Sequence, residues 1–296
     1  MIASVSITND FDGERLDRAL AAFLPDLGLR GRRRMCEKGM VLVDGAPRTP
    51  GYRVRAGQEV RLLTDELGSK TAGPLHIVAQ DERYATLVKP EGLHSARLAG
   101  GGASAEDALR DLFLDQEAIL CTRLDQATSG LLLVAFGEGA ARAFRDLENA
   151  GLARKTYLAV VAPVNGQTPP SRLVFDRALD TADRKRTRVL DVEAEEFRRT
   201  VMLRLCPAGE GEWLVGLRIL KGARHQIRAH LAHAGLPIVG DALYGDAALG
   251  IPLHLHHFRL EFPGFDATTP PPWPLWERLG AQASARLDEP EAFVKD

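Results

Sequence analysis

From Pro74 to about Pro263 the chain is a succession of short apolar runs broken by turn residues, with few stretches at helical spacing. LHIVAQDERYATLVKP reads as two strands across a turn, and SGLLLVAF and TYLAVVAPV as single strands. VMLRLCPA and WLVGLRIL form a hairpin around GEGE, and LHLHHFRLEFP returns as a further strand. Helical spacing is confined to Gly139–Asn149, through Ala143, Phe144 and Leu147, and to HQIRAHLAHAG, through Ile227 and Leu231. Many strands with few intervening helices predict an α+β fold, a largely antiparallel mixed sheet with flanking helices and loops. The apolar fraction of 45% supplies a sizeable core, and 296 residues leave room for a small second domain.

That second domain is expected at residues 12–63, as a small α/β unit. A helix is predicted from Glu14 to Phe23, with Asp12 as its cap, and a second over Gly31–Lys38 closed by Gly39. VLVDGAPR then reads as a hairpin about Asp-Gly. Between Asp12 and Arg61 eleven Arg and Lys stand against seven Asp and Glu, a local charge of +4. Arg30, Arg32, Arg33, Arg34 and Lys38 crowd the second helix. They are either a solvated face or a surface for RNA phosphates. Residues 64–73 read as a linker, 74–280 as the larger domain and 281–296 as an acidic tail.

The formal net charge of −2 argues against indiscriminate coating of nucleic acid, although local basic patches survive a near-neutral sum. Cys36, Cys121 and Cys206 are three, widely spaced and without a CxxC pair, which argues for reduced thiols. No apolar run approaches the ~18 residues a membrane helix needs. The N-terminus also lacks the pattern of a signal peptide. The expectation is a cytoplasmic monomer without a membrane partner.

Two segments can carry chemistry. In CTRLDQATSGLLLVAF, Asp125 precedes a polar turn that leads into an apolar strand, which sets a carboxylate at the lip of a sheet. On local sequence alone it can equally be a turn-capping aspartate. In LKGARHQIRAHLAHAGLPIVGDALYG, Arg224, His225 and Arg228 are expected to begin a helix, the two arginines four apart on one face. Such a pair can hold a carboxylate or phosphates, or form surface ion pairs of little energetic consequence.

TLVKPEGL, RLDQATSGLLL, RKTYLAVV and the long LKGARHQIR…GDALYG segment followed by LHLHHFRLEFP occur in this order. Together they resemble the RluA-type family of RNA pseudouridine synthases over residues 74–263. The preceding unit, through ERLDRAL, its arginine-rich helix and EKGMVLVDGAPRTPGYRVRAGQEV, resembles an S4 RNA-binding domain. The chain departs from the family at Thr122, at HSARLAGGG after Leu93, and at LKGARHQIR. The resemblance implies Asp125 as the catalytic carboxylate, Arg224 as its cationic partner, and Tyr157 stacking on the base or assisting proton transfer. It also implies substrate contacts from Arg123, Leu255, Arg228, Lys155 and Thr128, and phosphate contacts from Arg184, Lys185 and Arg186.

The reaction so implied isomerises uridine to pseudouridine in a structured RNA, with the target base flipped out and no cofactor or metal. Ribosomal RNA is favoured, with transfer RNA open. Two rivals compete. Six of the eight histidines lie between residues 225 and 257, which invites a metal site, but no HExxH motif is present. A non-catalytic RNA-binding protein would explain the basic clusters but not the complete motif around Asp125.

Overall fold

The Asp-Gly pair turns a hairpin as the sequence predicts: Asp44 and Gly45 both have positive φ, 51° and 80°. The computed structural model describes residues 3–24, 28–37, 41–62, 75–98, 103–183, 185–245, 251–289 and 293. The chain divides into two compact units, Met1–Thr71 and Ala72–Asp296.

The first unit contains β1 (Ala3–Ser6), α1 (Leu16–Ala19), α2 (Leu29–Glu37), β2 (Val41–Val43), β3 (Ala46–Pro47) and β4 (Glu59–Leu62). Its strands pair antiparallel in the order β1-β4-β2-β3. The unit therefore begins ahead of residue 12, because β1 completes its sheet. Leu16, Leu20, Val41, Val43, Val54 and Val60 form its core. The first helix is shorter than expected, since its last turn tightens to a 3-10 turn at Leu20–Ala22. Asp12 does not cap it; its Oδ1 accepts the Ala56 N–H at 2.9 Å instead.

The second unit comprises β5 (His76–Gln80), β6 (Tyr84–Lys89), α3 (Ala105–Leu112), β7 (Ala118–Leu120), β8 (Ser129–Phe136), α4 (Gly137–Asn149), β9 (Arg154–Val161) and β10 (Arg172–Phe175). It continues with β11 (Arg177–Asp180), β12 (Arg188–Glu193), β13 (Thr200–Gly209), β14 (Glu212–Ile219), α5 (Gln226–His233), β15 (Leu255–Phe262), β16 (Phe265–Thr268) and α6 (Pro274–Leu287). The main sheet runs β10-β13-β14-β9-β15-β8-β6-β5, with β16 beside β15 and β7 beside β8. Among the described residues its pairings are antiparallel except between β8 and β15. The strands β11 and β12 pair as a separate ribbon.

Side-chain alternation builds a core on each face of the sheet. Along β9, Tyr157, Ala159 and Val161 pack with Ile227 and Leu231 of α5, while Leu158 and Val160 pack with Leu279, Ala283 and Leu287 of α6. Along β8, Leu131, Leu133 and Ala135 meet Phe144 of α4, and Leu132 and Val134 meet Leu109 of α3. Leu124 packs against both the α5 and the α3 clusters, which fixes the loop before β8 across that face. The helix α6 also corrects the expected tail boundary at residue 281. Leu279, Ala283 and Leu287 recur every four residues and are buried, so the segment to Leu287 is part of the core.

The parallel contact between β8 and β15 is short, pairing His256 with Ser129 and His257 with Gly130. Gly130 has φ of +115°, and a Cβ there would stand 2.4 Å from the His257 carbonyl oxygen. Only glycine allows the two backbones this approach.

Candidate active site

Asp125 lies in the loop joining β7 to β8. Its carbonyl accepts the Thr128 N–H at 3.1 Å, closing a turn, and its side chain is 22% exposed. Oδ2 accepts from Nη1 of Arg228 at 3.1 Å. The same guanidinium donates Nε and Nη2 to the two carboxylate oxygens of buried Asp241, at 2.8 and 2.7 Å. Asp241 is itself held by the N–H groups of Leu243 and Tyr244. Arg228 thus spans two carboxylates, one buried and one partly exposed, and sits over the Tyr244 ring at 5.3 Å. Burial alone disfavours charge on Arg228, but the Asp241 bonds and the charge of Asp125 outweigh it and hold its pKa above the usual value. For Asp241 the cost of burial is likewise offset by Arg228 and the two N–H groups, and its pKa is lowered.

The expected pairing of Asp125 with Arg224 is corrected by this geometry. The helix α5 starts at Gln226, and His225 before it is left-handed, with φ of 54°. Arg224 therefore lies outside the helix, and the i, i+4 relation with Arg228 does not apply. Its Nη2 donates to the carbonyls of Thr181 and Asp183, both at 2.5 Å, so it braces the loop between β11 and β12. Thr187 reinforces that brace, its hydroxyl donating to the Arg224 carbonyl at 2.8 Å.

Around Asp125 stand His225, which the sequence offered only as a helix-start or metal-site residue, and Tyr244 and Lys89, to which it gave no role. His225 Nε2 is 3.8 Å from Asp125 Oδ2, and its Nδ1 is 3.1 Å from the Tyr244 hydroxyl. That hydroxyl also accepts the Thr187 N–H at 2.7 Å. Burial lowers the pKa of His225, with Asp125 pulling the other way. Lys89, at the end of β6, is fully buried, and its Nζ donates to the carbonyls of Pro90, Leu93 and Gln126 at 2.8, 2.9 and 3.1 Å. Burial lowers its pKa and the charge of Asp125 offsets part of this, leaving it at about 7, while three carbonyls match the three donors of an ammonium. Asp241 and Tyr244 lie in GDALYG and Lys89 in VKPEGL, but a motif read along the chain does not say which buried groups converge.

Tyr157 is buried and stacks on His257, ring centroids 4.5 Å apart and planes 13° apart. Burial, then the nearby charge of Asp125, push its phenol pKa well up. Leu255 is buried in the same apolar cluster as Tyr157. Arg123 is exposed, with no hydrogen bond or ion pair among the described residues.

Two expected substrate contacts are placed differently. The ammonium of Lys155 is buried and ion-paired with Glu148 of α4, which removes it from RNA. Thr128 is 2% exposed, and its N–H shapes the Asp125 turn. In the basic cluster of the first unit, Arg33 donates Nε to buried Asp17 at 2.7 Å and Arg32 donates Nε to the Asp17 carbonyl at 3.0 Å. These two arginines thus have one side committed to the fold. Lys185 is exposed and Arg186 lies over the Tyr244 ring at 5.1 Å. The side chains of Arg30 and Arg34, and all of Lys38 and Arg184, fall outside the described residues.

Three of the buried histidines that suggested a metal have protein partners instead. His230 bonds the Thr200 hydroxyl and the Arg177 carbonyl. His256 bonds the Ser129 hydroxyl and the Thr269 carbonyl, and His257 bonds the Leu131 carbonyl. Among the described residues no three His, Cys, Asp or Glu side chains stand together as a metal-ligand group.

Residues 83–233 match the RNA pseudouridylate synthase family. An uncharacterized RNA pseudouridine synthase of Chloroflexus aurantiacus is 34% identical over 262 residues, covering 83% of this chain and 78% of that protein. The ribosomal large subunit pseudouridine synthase C of Haemophilus ducreyi is 29% identical over 290 residues, covering 87% of each. Among solved structures, the human RNA pseudouridylate synthase domain containing 1 superposes with a TM-score of 0.56 at 25% identity, covering 68% of this chain and 85% of that one. With half of its length matched by the family and a relative of this identity aligned over most of both sequences, the chain belongs to the RNA pseudouridine synthases.

Proposed function

We propose that this RNA pseudouridine synthase acts on large-subunit ribosomal RNA and that Asp125 is the carboxylate that meets C1′ of the target uridine. The observation that carries the reading is the geometry of Asp125: partly exposed, with Arg228 on one carboxylate oxygen at 3.1 Å and the charge of the acid felt at the Tyr157 phenol. Leaving of uracil through N1 puts positive charge on C1′, which a carboxylate stabilises or captures. The freed base turns and bonds C1′ through C5; C5 then gives up its proton and N1 gains one. Substrate and product are isomers, so the atoms balance without an external reactant.

In this reading Arg228, anchored by Asp241, holds the carboxylate charge in place, and Leu255 and Tyr157 form the apolar wall for the base. The Tyr157 phenol is protonated near neutrality, as an ordinary tyrosine is, and burial only strengthens this, which suits a stacking face and hydrogen-bond donor. The target base must leave its stack to reach Asp125, and exposed Arg123 can occupy the space it vacates or hold a phosphate. The first unit takes the part of an S4-like RNA-binding domain, with Arg32 and Arg33 on its basic face. Lys185 and Arg186 grip backbone phosphate beside the site. The names of relatives such as the Haemophilus ducreyi protein support ribosomal RNA as substrate.

The test uses RNA carrying tritium at C5 of uridine, because that hydrogen is released only when C5 is rejoined to the sugar. Asp125→Asn is expected to abolish release from large-subunit ribosomal RNA while leaving filter binding within a few-fold of wild type. Wild-type release by Asp125→Asn would remove Asp125 from the chemistry. Release from transfer RNA alone would move the substrate.

A further inference from the structure

The segment after Leu93, HSARLAGGG, is one of three places where the sequence departs from the pattern it resembles, and it contains a buried hydroxyl with an unusual pair of bonds. Ser95 is 4% exposed. Its Oγ donates to the Leu124 carbonyl at 2.8 Å and accepts the Leu124 N–H at 2.9 Å. One hydroxyl therefore satisfies both backbone groups of the residue immediately before Asp125. This two-point grip is what a paired strand would provide, and at Leu124 the chain has no strand partner.

The anchor is itself fixed. The Ser95 carbonyl accepts the Glu106 N–H at 3.0 Å and the His94 carbonyl accepts the Ala105 N–H at 2.8 Å, which ties the segment to the first turn of α3. That turn is capped by Ser104, whose Oγ accepts the Asp107 N–H at 3.1 Å. On the far side of Asp125, the Gln126 carbonyl accepts the Gly92 N–H at 2.8 Å and the Gln126 side chain donates to the Gly92 carbonyl at 3.0 Å. Both neighbours of the carboxylate are thus tied to residues 92–95. The grip at Gln126 is backed by Lys89, whereas among the described residues the grip at Leu124 rests on Ser95 alone for its polar bonds.

We propose that Ser95 is a positioning residue for this reaction: its hydroxyl sets the backbone from which Asp125 reaches the ribose. The proposal rests on Asp125 being the reacting carboxylate. Ser95 is buried and its hydroxyl is taken up by Leu124, so losing that hydroxyl should change the placement of Asp125 without weakening RNA binding. Catalysis is sensitive to such placement, since an error near 1 Å can cost about 100-fold.

The experiment measures kcat and KM by tritium release from large-subunit ribosomal RNA labelled at C5 of uridine, well below the melting temperature of each full-length variant. Ser95→Ala is expected to lower kcat by about tenfold or more with KM within twofold, and Ser95→Thr, which keeps the hydroxyl, to recover most of kcat. Phe144→Leu, in the cluster under α4, serves as a destabilised control whose kcat should stay at the wild-type value. Wild-type kcat in Ser95→Ala, no recovery in Ser95→Thr, or an equal loss in Phe144→Leu each overturns the proposal. If Ser95→Ala does not accumulate as folded protein, Ser95→Cys, similar in shape but weak in hydrogen bonding, takes its place, and wild-type kcat there overturns it equally. Asp125→Asn assayed alongside separates the two readings. If it is inactive while Ser95→Ala is normal, only the positioning role falls; if it is active, the nucleophile assignment falls first.

Discussion

Arg228 makes its bonds through three different nitrogens, two to Asp241 and one to Asp125. A lysine would keep the charge but not the fork, so the residue's geometry matters as much as its sign. Loss of one charge-assisted bond, about 1.5–3 kcal/mol, predicts that Arg228→Lys lowers kcat by about 10- to 100-fold. Arg224→Lys, acting on the loop carbonyls, should leave kcat within a few-fold and shift KM. Kinetics of the two variants on one RNA check this, and equal kcat losses would return Arg224 to the carboxylate. The buried histidines give a prediction in pH. The Nε2–H of His256 donates to the Thr269 carbonyl, so Nδ1 accepts from the Ser129 hydroxyl, and the ring is neutral. Burial pushes its pKa down to about 4 and that of His257 to about 3. An unfolded histidine titrates near 6.5, so between 6.5 and 4 the unfolded chain binds protons that the folded chain does not. Stability is therefore present above about 6.5 and lost as pH falls, by about 1.4 kcal/mol per unit for each such group. Denaturant titrations from pH 7 to 5 should show this slope, and His256→Gln should remove about one proton from it. An unchanged slope would mean that His256 is not held neutral.

At the level of elements, Gly130 is where the sheet accepts its parallel contact. Gly130→Ala would put a methyl group 2.4 Å from the His257 carbonyl oxygen and ask alanine to adopt φ of +115°. The expected outcome is a loss of several kcal/mol, read as a lower denaturation midpoint, or no folded protein at all. A midpoint equal to wild type would show that β8 and β15 can separate freely. Most strands were legible because each alternates or runs apolar between turn residues, as in SGLLLVAF, which becomes β8. The hairpin of β13 and β14 was legible through its glycine-bearing turn. What the chain order concealed was order within the sheet: β15 lies between β9 and β8, which brings His257 against Tyr157 and α5 beneath the Asp125 loop. The pairing of Asp125 with an arginine was expected from the motif, but the partner depended on where α5 begins. A left-handed His225 shifts that start past Arg224, and no periodicity signals it. The end of the second unit was misread because its last helix mixes small and charged residues over Pro274–Leu287, so its buried stripe is thin.

For the whole molecule, a net charge of −2 means that attraction to RNA must come from local patches. Lys185 and Arg186 are the described members of one patch proposed for this role. Each phosphate contact they make adds about 0.7–0.9 to the slope of log affinity against log salt. Replacing both with alanine should flatten that slope by about 1–2, measured by filter binding across salt concentrations. An unchanged slope would place the phosphates elsewhere. In the trio Asp125–Arg228–Asp241 one guanidinium faces two carboxylates. If Asp125 is the carboxylate that meets C1′, as proposed, its charge would be drawn toward the sugar as uracil leaves. Arg228 would then keep its counterion in Asp241 and need no ion from solvent.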